Sequence, residues 1–384
     1  MPFRSVYFLF ALLLSLISCE GECSVRCGAE RLDIYLPQLE GKTVGLVVNQ
    51  SSRVGEGHLL DTLLSLGVKV DRIFTPEHGF RGDADAGEHV GDGRDSKSGL
   101  PIISLYGSNR RATKEQLKGL DLIVFDLQDV GARFYTYIST LYYLMQECAK
   151  YNVAVMVLDR PNPNDYVDGP IITESLRSFV GALPIPILHG LTVGELAMMI
   201  NGEGWVGDEK VRLDVIPIKG WRHGDHYSLP IKPSPNLPND QAIALYPSLC
   251  LFEATEVSVG RGTLMPFQVI GYPDPQYGSF SFTPMPLEGF DKNPLQGGKV
   301  CYGIDLRKVE APKGFSLRYF IDFMKISGSG ADFISRVSMF DRLVGSVEVR
   351  EMITDGHNEE SIRASWQDEL SEYRKMRRNY LLYK

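Results

Sequence analysis

"DLIVFDLQDVGARFYTYISTLYYLMQECAKYNVAVMVLD", residues 121–159, contains a complete folding unit. Its two ends, 121–127 and 153–159, are short and almost continuously apolar. The segment between them, from Arg133 to Tyr151, is long, apolar-rich and free of proline, as a helix requires. Strands without polar alternation are buried on both faces, and a helix joining two of them makes them parallel neighbours. The stretch therefore predicts a β–α–β crossover inside a covered parallel sheet.

The same rhythm extends in both directions. "TVGLVVN" (43–49), "VDRIFT" (70–75) and "PIISLYG" (101–107) read as further strands. "HLLDTLLSLG" reads as a helix ending in glycine, and "TKEQLKGL" as a short helix with Thr113 as its N-cap. "TVGELAMMING" (192–202) reads as the last helix of this region. The fold class is α/β, with a doubly wound parallel sheet over residues 30–214. From 218 to 300 the chain is rich in proline and glycine, and "FQVIG" and "VCYGIDL" are strand-like. Amphipathic helices are expected near 315–325 and 331–340, and one charged helix from Glu359 onward. A smaller C-terminal α/β domain is placed at 215–384.

The first nineteen residues, "MPFRSVYFLFALLLSLISC", have one basic residue, Arg4, before a mostly apolar run from Val6 to Ile17. That run is short of the ~20 apolar residues a membrane span needs and reads as an export signal. "LISC" resembles the lipobox of bacterial lipoproteins. Residues 1–18 are expected to be a signal peptide, Cys19 the lipidated residue and 19–29 a tether. The protein is then exported, a periplasmic or cell-envelope lipoprotein touching the membrane through its lipid anchor only. Of the six cysteines, Cys23 and Cys27 are able to pair in an oxidising compartment, whereas Cys148, Cys250 and Cys301 sit among apolar neighbours. A formal charge of −8 argues against a nucleic-acid partner.

Ligands of open parallel sheets bind beyond the carboxyl ends of the strands, and polar residues gather there. Strand 43–49 ends at Asn49, and strand 70–75 runs into Pro76, Glu77 and His78. The later strands run into Asp126–Tyr137 and Asp159–Asn164; the opposite ends, near Gly41, Lys69 and Asn152, are sparse. No Gly-rich dinucleotide turn follows Asn49 and no phosphate-binding G-x-x-x-x-G-K-[ST] occurs, so no cofactor is expected. His78, Asp83, Asp85, Glu88 and His89 match no familiar metal-ligand spacing, so no metal is assigned. No G-x-S-x-G elbow is present, and His189 and His223 lack a located partner. Carboxylate chemistry remains. Glu77 leaves its strand at a rigid proline, with Asp126 and Asp129 two strands later as possible companions. A salt bridge of Glu77 to Arg81, a helix-capping role for Asp129, and simple packing of Tyr135 or Tyr137 are the structural alternatives.

"TPEHGFRGDADAGEHV", "SKSGLPIISLYG", "FDLQDVGARFYTYISTL", "LDRPNPN", "IPILHGLTVGELA", "PSPNLPN" and "GRGT" resemble, in order, the motifs of a bacterial exo-β-N-acetylmuramidase family, the NamZ type. The resemblance runs from about residue 30 to the C-terminus. It implies a Rossmann-like domain and a C-terminal α/β domain with the active site in the cleft between them. The activity implied is release of N-acetylmuramic acid (MurNAc) from the non-reducing ends of peptidoglycan fragments such as MurNAc-GlcNAc. It implies Glu77 as the principal catalytic carboxyl and places Asp129, the companion carboxyl expected from its strand-end position, in the same site. His78, Arg81, Gln128, Arg133, Tyr135, Asn162, Asn236, Glu253 and Arg261 become substrate-binding residues, and Asn49, at the end of its strand, is added to them by position. Arg81, Arg133 and Arg261 are candidates for the lactyl carboxylate, which a guanidinium can grip in bidentate fashion. Retaining, inverting and substrate-assisted routes all stay open, as do a non-catalytic sugar-binding lipoprotein and a metal-dependent cell-wall hydrolase. An exo-acting enzyme would work alongside a hexosaminidase and an endo-acting hydrolase.

Overall fold

The computed structural model describes residues 25–80, 91–288 and 290–384. Residues 1–18, expected to be a signal peptide, and Cys19, Cys23, Arg81, Asp83, Asp85, Glu88 and His89 lie outside the described residues.

The strands are β1 (Val44–Val48), β2 (Arg53–Val54), β3 (Gly57–His58), β4 (Val70–Thr75), β5 (Gly93–Arg94), β6 (Pro101–Ser104), β7 (Leu122–Asp126) and β8 (Ala154–Leu158). They continue with β9 (Val167–Ile171), β10 (Pro186–His189), β11 (Leu213–Ile216), β12 (Val269–Tyr272), β13 (Phe280–Phe282) and β14 (Cys301–Asp305). Seven of them form the main sheet in the order β11-β8-β7-β1-β4-β6-β5. All its pairings are parallel except β5 with β6. Leaving aside the two-residue β5, the chain begins in the middle of the sheet, winds to one edge, then crosses to the other side of β1. This is the Rossmann strand order, with its topological switch between β1 and β7.

Alternate residues explain why both faces are covered. Val44, Leu46 and Val48 of β1, with Val124 of β7 and Met156 of β8, face one apolar cluster. That cluster includes residues of helices α1 (Leu32–Leu39) and α2 (Leu59–Ser65). Val47, Phe125, Val155 and Val157 face a second cluster on the other side. There lie the short α3 (Lys114–Leu117), α4 (Tyr137–Lys150) and α5 (Val193–Gly202). The period of two along each strand thus divides the core between the faces. Thr113 does cap α3, accepting from the Gln116 backbone.

The second region adds α6 (Asp240–Leu249), a three-stranded sheet β12-β14-β13, and α7 (Arg318–Ser327), α8 (Val337–Val344) and α9 (Val347–Thr354). The single terminal helix expected from Glu359 is two, α10 (Glu359–Ser365) and α11 (Gln367–Arg377). The break is at Trp366, which is 2% exposed and packs on Phe315. Burying one large ring outweighs keeping the helix continuous. Phe252, Phe320, Trp366 and Tyr373 belong to the same core cluster as Val47 and Phe125. The second region therefore completes the hydrophobic core of the first.

Two expected boundaries differ from the structure. β11 spans the 214/215 division, because the sheet continues until the proline-rich sequence begins. The tether expected over 19–29 is docked from Arg26 onward: Arg26 bridges Lys219, and Gly28 N–H donates to Asp159 O at 2.7 Å. Cys27 is a free buried thiol beside the Tyr227 hydroxyl, not one half of a disulfide. Among the described residues no helix is long and apolar enough to cross a membrane.

Candidate active site

A cavity of about 870 Å³ opens on the carboxyl-end side of the sheet, with walls from both regions. Glu77, His78, Tyr106 and Phe134–Tyr137 line it from the Rossmann-like region; Asn236, Tyr246, Glu253, Arg261 and α8 close it from the other.

Glu77 sits on a turn that immediately follows β4. Gly79 N–H donates back to the Pro76 carbonyl at 3.2 Å, and His78 between them has φ +69°. Left-handed backbone at a non-glycine residue costs roughly 1–3 kcal/mol and persists where the surroundings enforce it. Here it turns the chain so that the half-buried Glu77 faces the cavity with the 6%-exposed His78 beside it. The Thr136 hydroxyl donates to Glu77 Oε2 at 2.7 Å. Burial raises the Tyr106 phenol well above its ordinary pKa, and the neighbouring Glu77 carboxylate, which its hydroxyl hydrogen-bonds, adds to the rise. Hydroxyls donate to a carboxylate and accept from a carboxylic acid. The same two groups can therefore hold Glu77 on either side of a proton transfer.

Several other expected residues line the cavity. Tyr135 donates to Pro233 O at 2.8 Å, and its ring lies 4.6 Å from that of Tyr137. Asn236 donates from Nδ2 to Phe290 O, while its buried Oδ1 has no partner. A carbonyl only accepts, so the amide nitrogen must face Phe290 and the amide oxygen is left as an unused acceptor in the cavity wall. Glu253 and Arg261 form a 2.5 Å ion pair, with the guanidinium over the Phe267 ring.

The remaining expected residues stand behind the walls. Asn49 is fully buried at the switch point and donates to the Tyr137 hydroxyl at 3.0 Å, so it orients a cavity residue. Asp129, expected as the companion carboxyl, is 4% exposed and absent from the cavity lining. One of its oxygens accepts from Gly131 N–H at 2.7 Å and pairs with His189 at 3.2 Å. Asp126 is gripped by both ends of the Arg160 fork at 2.6 and 2.9 Å. Gln128 donates to Pro161 O and Asn162 to Leu191 O, which fixes loops. Asn162 also packs against Gly131, whose φ of +77° and lack of a Cβ permit the approach. Arg133 has no exposed surface and donates to four carbonyls, those of Pro170, Ile185, Leu343 and Val344. Burial lowers its pKa to about 9, and those carbonyls bind the cation. It joins the two regions and cannot reach a ligand.

Sequence reasoning passed over Thr136, Tyr106, Arg110 and Arg342. Tyr106 and Arg110 follow β6, so the strand-end rule that found Glu77 reaches them too. Arg342 comes from α8 and has no local signal. Cys250 also lines the cavity, but burial raises its thiol far above the range of a nucleophile. No group of three His, Cys, Asp or Glu able to hold a metal occurs among the described residues.

Comparison with known proteins agrees with this architecture. Residues 44–241 match the family model described as Exo-beta-N-acetylmuramidase NamZ, N-terminal, and 244–383 match its C-terminal counterpart. The chain belongs to the NamZ family. Peptidoglycan beta-N-acetylmuramidase NamZ of Bacillus subtilis (strain 168) is 36% identical over 381 residues, 91% of this chain and 89% of that protein. Two crystal structures of DUF1343 family proteins from Bacteroides fragilis NCTC 9343 share the fold. One is 44% identical with a TM-score of 0.86, the other 28% identical with a TM-score of 0.78. Each match covers 94% of this chain and 99% of the other. In this NamZ-family chain the cavity takes walls from both matched regions, with the motif residues Glu77 and Asn236 and, from the second region, Glu253 all lining it.

Proposed function

We propose that this chain is an exo-acting glycoside hydrolase that releases terminal β-linked MurNAc from the non-reducing ends of peptidoglycan fragments. Besides family membership, the observation that carries this reading is Glu77: a carboxyl on a strained turn, bound by the Thr136 hydroxyl, facing a cavity large enough for a disaccharide. Glu77 donates a proton to the glycosidic oxygen as the bond to the leaving sugar breaks, and the Thr136 hydroxyl then donates to the carboxylate left behind; a water adds to the anomeric carbon and releases the proton that restores Glu77. Tyr135, Tyr137 and Tyr246 supply rigid apolar walls for the sugar ring. Glu253, the other carboxylate on the described walls, has its charge taken up by Arg261 and shapes the far side.

The opening sequence supports placing the enzyme in the cell envelope as a lipoprotein anchored through Cys19. An enzyme that removes only terminal MurNAc depends on others to expose it, so cooperation with a hexosaminidase and an endo-acting hydrolase belongs to the same proposal.

The test uses full-length protein in detergent with MurNAc-GlcNAc, following free MurNAc by mass spectrometry. Release by wild type with or without EDTA, and none by Glu77→Gln, is expected. Binding of the disaccharide without release by wild type would leave a sugar-binding protein, and loss of activity with EDTA a metal-dependent hydrolase.

A further inference from the structure

The cavity is rich in cations although the chain carries a formal charge of −8. Its described lining holds Arg110, Arg261, Arg336 and Arg342 against two carboxylates, Glu77 and Glu253. Two of the four arginines are neutralised. Arg261 pairs with Glu253, and Arg336 pairs with Glu256 at 3.0 Å while donating to the carbonyls of Glu253 and Thr255. Among the described residues Arg110 and Arg342 have no carboxylate within ion-pairing distance, and both are exposed to the cavity mouth. Arg342 lies in the last turn of α8, where a cation suits the helix dipole. Arg110 is on a loop with no such reason; its guanidinium lies 4.7 Å above the Phe179 ring, which restrains it without satisfying its N–H donors. Ser178 on the same wall has a buried hydroxyl with no partner.

The rest of the cavity excludes other places for an anion. The unpartnered amide oxygen of Asn236, in the cavity wall, would repel a carboxylate and would accept instead from a hydroxyl or acetamido N–H. Glu77 and Glu253 repel it as well. The other two arginines expected to bind the substrate acid and described in the structure, Arg133 and Arg261, are already engaged.

We propose that Arg110 and Arg342 bind the free carboxylate of the substrate's lactyl ether, with the Ser178 hydroxyl as an additional donor, and that this contact selects MurNAc over an uncharged amino sugar. The proposal rests on the glycosidase reading above and assigns specificity within that site.

Its test compares MurNAc-GlcNAc, the same disaccharide with the lactyl acid converted to a carboxamide, and a disaccharide carrying a stem peptide on the lactyl group. Wild type, Arg110→Gln, Arg342→Gln and the double variant are assayed as full-length proteins. Each lost charge-assisted contact is expected to lower kcat/KM on the free acid roughly 10-fold or more, chiefly through KM. Hydrolysis of the carboxamide, whose neutral carbonyl keeps only the weaker part of the contact, should fall much less in the variants than hydrolysis of the acid. Equal losses on acid and carboxamide, or no loss on either, would overturn the proposal. A loss confined to the peptide-bearing substrate would also overturn it, by moving the arginines' role to the stem peptide. If wild type releases no MurNAc from any substrate, the glycosidase reading fails instead. Calorimetric binding of acid against carboxamide then still tests the arginines.

Discussion

Thr136 Oγ1 donates to Glu77 Oε2 at 2.7 Å, although Thr136 is the N-cap of α4 and threonine there ordinarily bonds its own helix. The hydroxyl makes no capping bond. A local stabilising contact has been given up to position the carboxyl.

Thr136→Val should therefore lower kcat about 10-fold while leaving KM and the melting temperature nearly unchanged, since no cap is lost. Thr136→Ser should restore most of the rate. Steady-state kinetics of the three proteins decides it; a large fall in stability with Val would return the hydroxyl to a structural role.

Glu77→Gln keeps the size of the side chain and a hydrogen-bonding partner for Thr136 but removes the transferable proton. Turnover of MurNAc-GlcNAc should fall by about 10²–10⁴-fold, the usual share of general acid catalysis. Disaccharide binding, measured by calorimetry, should persist.

Arg133 is predicted to matter for stability and not for affinity. Arg133→Lys offers one ammonium to four carbonyls placed for a planar fork and should cost about 3 kcal/mol in urea unfolding. Gly345→Ala should cost about 2 kcal/mol, because φ is +87° and a Cβ would lie 2.5 Å from Arg133 Nη2. A KM change without loss of stability in Arg133→Lys would contradict this assignment.

His223 gives the protein a pH-dependent stability. Burial alone would lower its pKa, but hydrogen bonds to Asp165 at 2.8 Å and Glu195 at 3.0 Å outweigh that and raise it to about 9. A histidine raised in the folded state stabilises fully below its unfolded pKa of about 6.5 and loses that contribution as pH rises through about 9. The stability difference between wild type and His223→Gln should shrink by about 3 kcal/mol between pH 6.5 and pH 9.5. Asp159, raised to about 7 by burial against hydrogen bonds from Tyr383 and Thr192, acts in the opposite part of the scale. Its effect accrues between about pH 4 and 7 and is flat above. Parallel urea-midpoint curves for the two proteins would rule out the histidine's part.

The centre of the sheet was legible because it obeys a local rule: β1, β7 and β8, buried on both faces, read as uninterrupted apolar runs, while β4, with Asp71 and Arg72, and the half-buried β6 carry the signal more weakly; all five expected strands are present. Glu77 was legible because Pro76 fixes where the polar sequence begins. Arg133 and Asp129 show the limit of that rule. A polar residue after a strand serves equally well to bind a ligand or to satisfy a buried loop, and the difference depends on what the distant chain presents. For Arg133 that is two carbonyls of α8; for Asp129 it is His189. Arg342 is hidden for the same reason, being brought to the cavity by tertiary packing.

The bonds between Arg133 and α8 span 210 residues or more, and the Tyr383 hydroxyl closes on Asp159 across 224. A chain emerging from a ribosome, N-terminus first, can pair β1 with β4 and β7 early, but must wait for its closing residues before these groups are satisfied. Synthesis halted before residue 343 would leave a guanidinium in the interior with half its acceptors missing. Such a fragment would be a natural target for proteolysis, and cutting the two regions apart would not yield a working half.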